Sequence, residues 1–275
     1  MSQASKACTD AACVEFATIQ WQGLDVRIEH QWINQERRDC PLLVFLHEGL
    51  GSVAMWRDFP QQLCDAADCR GLVYSRPGYG QSTPRSPHAP LRADFMHLQA
   101  YEVLPALFEA LRITEKPWLL GHSDGGSIAL LYASHAPNAV AGLIVIAPHL
   151  MVEEYGLASI RIARQAYAAT ELKKKLSRYH IDADSTFKGW NDIWLDSSFA
   201  SWTIESNLLT ITCPILAVQG QNDEYGTLEH IYGIARRVPQ TQTLEIPDCK
   251  HSPHRDQPAV LIQAVAEFMN ITQPR

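Results

Sequence analysis

Leu42-Leu43-Val44-Phe45-Leu46 is an apolar run with no polar position inside it. A half-buried strand alternates and an amphipathic helix leaves a polar stripe. A short unbroken run is instead the pattern of a strand covered on both faces, as in a parallel sheet. Gly71-Leu72-Val73-Tyr74, Trp118-Leu119-Leu120, Leu143-Ile144-Val145-Ile146 and Ile215-Leu216-Ala217-Val218 repeat the type. Between these runs the apolar spacing changes to three and four residues. Phe95, Leu98, Tyr101, Leu104, Leu107, Phe108 and Leu111 predict one helix, Ser127 to His135 a second and Pro258 to Met269 a third. Strands alternating with helices predict an α/β fold, a mostly parallel sheet with helices on both faces. Ahead of it, Val14 to Ile33 alternates around Gly23-Leu24-Asp25 and predicts two antiparallel strands and a turn.

The alternation of strand and helix stops once. Between Ile146 and Pro214 there is no buried-strand run, only helical patterns at Ile160 to Leu176 and Phe187 to Leu195, with Trp190, Trp194 and Trp202 among them. Residues 148–209 are expected to form a small helical cap inserted into a core made of residues 14–147 and 210–275. The cap would cover the C-terminal edge of the sheet, where open α/β sheets bind ligands. Residues 1–13 read as a loose leader, polar and without the apolar stretch of a secretory signal. No stretch approaches the ~18 apolar residues of a membrane span. The seven cysteines are odd in number and lack paired C-x-x-C units, so they read as reduced thiols rather than a disulfide framework or a zinc site. A cytoplasmic protein is the expectation. A formal charge of −7 argues against nucleic acid or an anionic membrane as partner, and 46% hydrophobic residues exclude a disordered chain.

Gly121-His122-Ser123-Asp124-Gly125 fits G-x-S-x-G and stands between the run Trp118-Leu119-Leu120 and the helical pattern from Ser127. Glycines at both ends permit a tight strand-to-helix turn that presents the Ser123 hydroxyl. A serine needs a base. Of eleven histidines, His251 lies in a loop between the expected strand Thr243-Leu244-Glu245-Ile246 and the last helix, which places it at the same sheet edge as Ser123. His254 is the alternative, but it stands nearer the helix start. An acid must orient the base. Asp223 follows the buried run ending at Val218, with Glu224 beside it as the alternative. The order Ser123, Asp223, His251 is the one expected for this elbow. An oxyanion needs backbone N–H donors. Asp124, next after the serine, and Gly49, in the loop His47-Glu48-Gly49-Leu50-Gly51-Ser52, are the candidates. His47 reads as a brace for that loop.

These elements, with Ser75-Arg76-Pro77-Gly78-Tyr79-Gly80-Gln81-Ser82 and Gly220-Gln221-Asn222-Asp223, resemble an α/β-hydrolase fold serine hydrolase through nearly the whole chain. The resemblance implies hydrolysis of small carboxylic esters or lactones through an acyl-enzyme, with no metal or organic cofactor. Carbon–carbon bond hydrolysis of a dioxo acid in aromatic degradation is the alternative within the enzymes, and a slow-turnover ligand sensor the alternative outside them. Glu48 departs from the pattern, since many relatives have glycine there. With Asp124 it puts negative charge near the site. Trp190 and Trp194, at i and i+4, share a helix face and are candidates for the substrate pocket, or for packing within the cap. Arg161 and Arg164 share another face, and Lys173-Lys174-Lys175 with Arg178 forms a basic run. These are read as a solvated surface, with recruitment of an anionic substrate as the alternative.

Overall fold

The computed structural model describes residues 14–86 and 90–272. The expected leader lies outside them. The strands are β1 (Glu15–Trp21), β2 (Leu24–Ile33), β3 (Leu42–Leu46), β4 (Arg70–Tyr74), β5 (Trp118–His122), β6 (Gly142–Ile146), β7 (Ile215–Gly220) and β8 (Thr241–Ile246). They form one sheet in the order β1-β2-β4-β3-β5-β6-β7-β8. β1 and β2 are antiparallel and β2 runs antiparallel to β4, while the pairs from β4 to β8 are parallel. β3 through β7 are buried along their length apart from Arg70, which accounts for the unbroken apolar runs.

The helices are α1 (Phe59–Ala66), α2 (Phe95–Leu98), α3 (Leu104–Ala110), α4 (Asp124–His135), α5 (Glu154–Ala169), α6 (Leu172–Leu176), α7 (Ala183–Trp194), α8 (Glu229–Arg237), α9 (Pro253–Asp256) and α10 (Pro258–Thr272). One apolar core, on one face of the sheet, contains α2–α4, α8 and buried residues of α5–α7. The other contains residues of α1 and α10.

The helix expected from Phe95 to Leu111 is divided. α2 and α3 are joined by a π-helical turn, Gln99–Val103. Pro105 has no N–H to give the carbonyl four residues back and its ring crowds that carbonyl, and a wider turn relieves both problems. The pattern from Ile160 to Leu176 is also broken, between α5 and α6. There the Thr170 hydroxyl donates to the Ala166 carbonyl (2.7 Å) and accepts from Leu172 N–H (3.2 Å), taking up groups the helix would have used. α7 begins earlier than its apolar pattern, because Asp182 caps it by accepting from Ser185 N–H at 2.9 Å. Among the described residues Cys40, Cys64, Cys69, Cys213 and Cys249 are free thiols, and no helix is long and apolar enough to cross a membrane.

Register determines where the loops emerge. Leu46 pairs with both Tyr74 and Gly121, and His122 pairs with Ile146. The residues that follow β3, β4, β5 and β6 therefore leave the sheet along one edge. β4 and β5 flank β3 on opposite sides, so the order of strands reverses there, the topological condition for a ligand crevice.

Candidate active site

Ser123 stands between β5 and α4 with φ 54° and ψ −121°. That positive φ is costly for a residue with a Cβ and is held by the surrounding backbone: Ser123 N–H donates to the Ile146 carbonyl at 2.8 Å. The two flanking glycines are needed for close approach. A Cβ on Gly121 would lie 2.1 Å from the Gly125 carbonyl oxygen, and one on Gly125 would lie 2.1 Å from that of Leu46. The helix α4 begins at once, so its positive dipole end faces the serine.

His251 and Asp223 meet. His251 Nδ1 donates to both carboxylate oxygens, at 2.9 and 3.0 Å. Asp223 is itself held, accepting from Tyr225 N–H at 2.8 Å and from Gln219 Nε2 at 3.1 Å. Glu224 takes a different part, accepting the backbone N–H of His251 at 3.3 Å. His122 donates from Nε2 to the His251 carbonyl at 2.8 Å, so the residue before the serine braces the backbone of the histidine. Burial disfavours a charged His251. Asp223, by charge and hydrogen bond, and the charges of Glu224 and Glu48 outweigh it and raise its pKa above the ordinary imidazole value. His254 is a different kind of residue. Its ring packs on Trp56, Phe59 and His122. Burial, Arg255 and His251 push its pKa down to about 3.

The Ser123 hydroxyl is hydrogen-bonded to neither of these histidines. Oγ lies 3.3 Å from Nε2 of His149. His149 stands three residues past β6, and its ring centre is 5.9 Å from that of His251. No sequence motif singles it out. The signal was available, since a titratable residue just after a buried strand at this edge is placed to reach the crevice.

The loop that carries Gly49 and the helix that begins at Asp124 both meet Arg76, through the Glu48 carbonyl and the Asp124 carboxylate. Among the described residues neither the Gly49 nor the Asp124 N–H donates a hydrogen bond within the chain. His47 braces the loop: its Nε2 accepts from Arg76 N–H at 3.0 Å and its Nδ1 donates to the Glu48 carbonyl at 2.7 Å. Arg76 Nη2 donates to that carbonyl too, at 2.7 Å. The Glu48 carboxylate accepts from Leu50 N–H. The Asp124 side chain is fully buried with Arg76 Nη1 3.9 Å away. Burial pushes its pKa up to about 6, against the pull of Arg76.

Both tryptophans of α7 reach this region. A Cβ on Gly49 would lie 2.1 Å from Trp190 Nε1, so the indole lies directly on the loop. Trp194 packs on the His149 ring, with centroids 4.8 Å apart, and on Phe199 and Trp202. His180 ties the segment between β6 and β7 to two loops: its Nδ1 accepts from Gly80 N–H and its Nε2 donates to the Leu50 carbonyl, each at 2.9 Å. Four of the basic residues are committed to ion pairs. Arg161 pairs with Glu154, Arg164 with Asp192 and Asn191, Lys173 with Asp184, and Lys174 with Glu171.

The model of the Alpha/beta hydrolase family matches residues 43–264. The chain belongs to that family. Among curated relatives, the family resemblance extends to the sn-1-specific diacylglycerol lipase ABHD11 of Mus musculus, 26% identical, with 83% of this chain and 81% of that protein covered. It extends also to the 2-succinyl-6-hydroxy-2,4-cyclohexadiene-1-carboxylate synthase of Enterobacter sp. (strain 638), 24% identical, with 84% and 92% covered. Among solved structures, a thermophilic esterase from Thermogutta terrifontis superimposes with a TM-score of 0.70 at 21% identity, covering 96% of this chain and all 100% of that one. At that identity the likeness is one of fold. The α/β-hydrolase architecture and membership of a hydrolase superfamily with esterase- and lipase-like relatives follow from these matches.

Proposed function

We propose that this α/β hydrolase is a serine hydrolase of small, neutral carboxylic esters or lactones. The observation that carries the reading is the His251–Asp223 pair standing at the same sheet edge as the strained Ser123 elbow. In the attack Ser123 Oγ forms a bond to the substrate carbonyl carbon and its proton passes to His251 Nε2. Asp223 fixes the tautomer that leaves Nε2 free and stabilises the imidazolium. The carbonyl oxygen becomes an oxyanion, which the N–H groups of Gly49 and Asp124 receive. His251 returns its proton to the departing alcohol, and water, deprotonated by the same nitrogen, then releases the acid.

Neutrality of the substrate is argued from charge. Glu48 and Asp124 place carboxyl groups beside the centre, Arg76 is engaged by the Glu48 carbonyl and the Asp124 carboxyl, and Arg161 and Arg164 are committed to partners of their own. The indoles of Trp190 and Trp194 offer large rigid apolar surfaces to the acyl or alcohol group. The test is a p-nitrophenyl ester series with a fluorophosphonate probe. The parent protein should turn over short and medium esters and take the label. Ser123→Ala should lose both, with kcat down by roughly three orders of magnitude or more. Near-parental turnover by Ser123→Ala rules out the acyl-enzyme. A dioxo acid cleaved faster than every neutral ester moves the assignment to carbon–carbon bond hydrolysis.

A further inference from the structure

Ser123 Oγ has two imidazoles in its neighbourhood, and the one it touches is not the one paired with Asp223. His149 is fixed against the serine by the serine's own helix. Ser127, in the first turn of α4, accepts the His149 N–H at 3.0 Å and donates its hydroxyl proton to the His149 carbonyl at 2.7 Å. Ala147, two residues earlier, takes a φ of 47° and donates to the Val218 carbonyl at 2.8 Å, which turns the chain sharply out of β6. The ring is then walled by Trp194 at 4.8 Å and His230 at 5.2 Å. His230 is anchored in turn, with its Nδ1 accepting from Leu150 N–H at 3.2 Å and its Nε2 2.9 Å from Glu153. A side chain held by this many contacts at 3.3 Å from the reacting oxygen has a defined position relative to every step at that oxygen.

The bond's direction during reaction follows from counting protons. A hydroxyl has one proton, and in the attack it goes to His251. His149 then faces a lone pair of Oγ and can bond to it only by donating Nε2–H. Burial and the neighbouring His230 and His251 oppose a positive charge on His149 and make it a poor base, so it does not compete for the proton, and as the Nε2–H tautomer it gives the hydrogen bond. We propose that His149 is a further catalytic residue, a neutral N–H donor to Ser123 Oγ whose main effect is on breakdown of the acyl-enzyme. This rests on the acyl-enzyme reading above.

The asymmetry between the two half-reactions is chemical. Before acylation Oγ belongs to an alcohol, a good acceptor, and the His149 bond is already made in the ground state. In the acyl-enzyme Oγ is an ester oxygen, a poor acceptor. When water has added and the tetrahedral species collapses, the bond from carbon to Oγ breaks, its electron pair moves onto Oγ, and His251 supplies the proton that regenerates the alcohol. A donor aimed at Oγ is worth more in that transition state than in the acyl-enzyme that precedes it, which is the condition for accelerating a step.

The experiment uses the full chain and a p-nitrophenyl ester, with stopped-flow and intact-mass readouts. His149→Phe keeps a ring between Trp194 and His230 and removes the donor. It should lower kcat by about tenfold, the value of one neutral hydrogen bond, while kcat/KM, which reports acylation, changes less than about threefold and KM falls. A burst of nitrophenol approaching one equivalent should appear, with the acyl adduct visible by mass. His149→Gln, which can still present an N–H, should regain deacylation relative to His149→Phe, and because it retains a polar group it provides the comparison with the parent if the phenylalanine variant does not fold. Equal losses in kcat and kcat/KM without a burst, or a glutamine variant no better than phenylalanine, overturn the proposal. Failure of the underlying reading looks different: the parent itself would neither label with fluorophosphonate nor form an acyl adduct.

Discussion

Ser123, Asp223 and His251 stand on loops that leave the ends of β5, β7 and β8, whereas His180, Trp190 and Trp194 come from a helical segment that adds no strand to the sheet. The first group is positioned by backbone. Strand register, a positive φ at Ser123 and glycines packed against carbonyls leave the elbow little freedom. The second group is attached mainly by side chains, with a backbone bond from Ile181 N–H to the Gly80 carbonyl at 3.0 Å. His180 bonds to the loops after β3 and β4, Tyr155 donates to the Asp223 carbonyl at 3.0 Å and Ser159 to that of Glu224 at 2.6 Å. A site built this way separates its tasks. On the proposed mechanism the edge of the sheet sets the reacting geometry, and the segment above it, packed into the same apolar core, lays side chains over that edge.

The largest effects should come from the backbone-positioned group. His251→Ala should cost kcat roughly three orders of magnitude or more, whereas His254→Ala should keep most turnover and lose stability instead, since that ring is packing for Trp56 and Phe59. The opposite ranking, measured with one ester and a melting curve for each variant, would reverse the assignment of the base.

The contact between the two groups can be broken at Gly49. Gly49→Ala drives a methyl into the Trp190 indole and must move the loop or the helix. On the proposed role of Gly49, displacing this donor costs about a hundredfold in kcat. The double variant Gly49→Ala with Trp190→Ala should recover part of that loss. A double variant no better than the single one would mean that the strain lies within the loop and not against α7.

A smaller effect separates charge from position. Glu48 adds to the field that favours a charged His251. On the proposed mechanism the neutral imidazole is the active base, so kcat/KM should rise with pH through the His251 pKa. In Glu48→Gln that rise should move to lower pH, leaving more activity on the acid side. The same change lowers the pKa of Asp124, about 6 with Glu48 present. Asp124→Asn in the same background tells the two titrations apart. A rise that moves to higher pH contradicts the electrostatic account.

The smallest effect is expected on the outer surface of the segment. Arg161→Ala and Arg164→Ala remove exposed ion pairs with Glu154 and Asp192. Such pairs contribute little, so kcat/KM for neutral esters should stay within about twofold of the parent. A loss confined to carboxylate-bearing substrates would assign these arginines to recognition after all.

The apolar runs, the elbow and the order Ser123, Asp223, His251 were legible in the sequence because each rests on a local rule. A strand buried on both faces must be apolar throughout, and a turn this tight must have glycine where a Cβ would meet a carbonyl. The partners of His149, His122 and His180 were not legible. Each acts through a partner 26, 129 or 100 residues away in the chain, and no spacing encodes such a pairing. The π turn ahead of Pro105 and the break at Thr170 were hidden for a related reason, since apolar periodicity registers which face is buried and not how the backbone bonds are shared. The sequence by itself determined the sheet, the elbow and the chain order of the candidate triad, all consequences of neighbouring residues and burial. Only the tertiary structure decided that the serine rests against a second histidine, that one tryptophan lies on the loop after β3 and the other on that histidine, and that Arg161, Arg164, Lys173 and Lys174 are paired. Those outcomes depend on which strand ends and helix faces are brought together, and that is fixed only when the whole sheet closes its register.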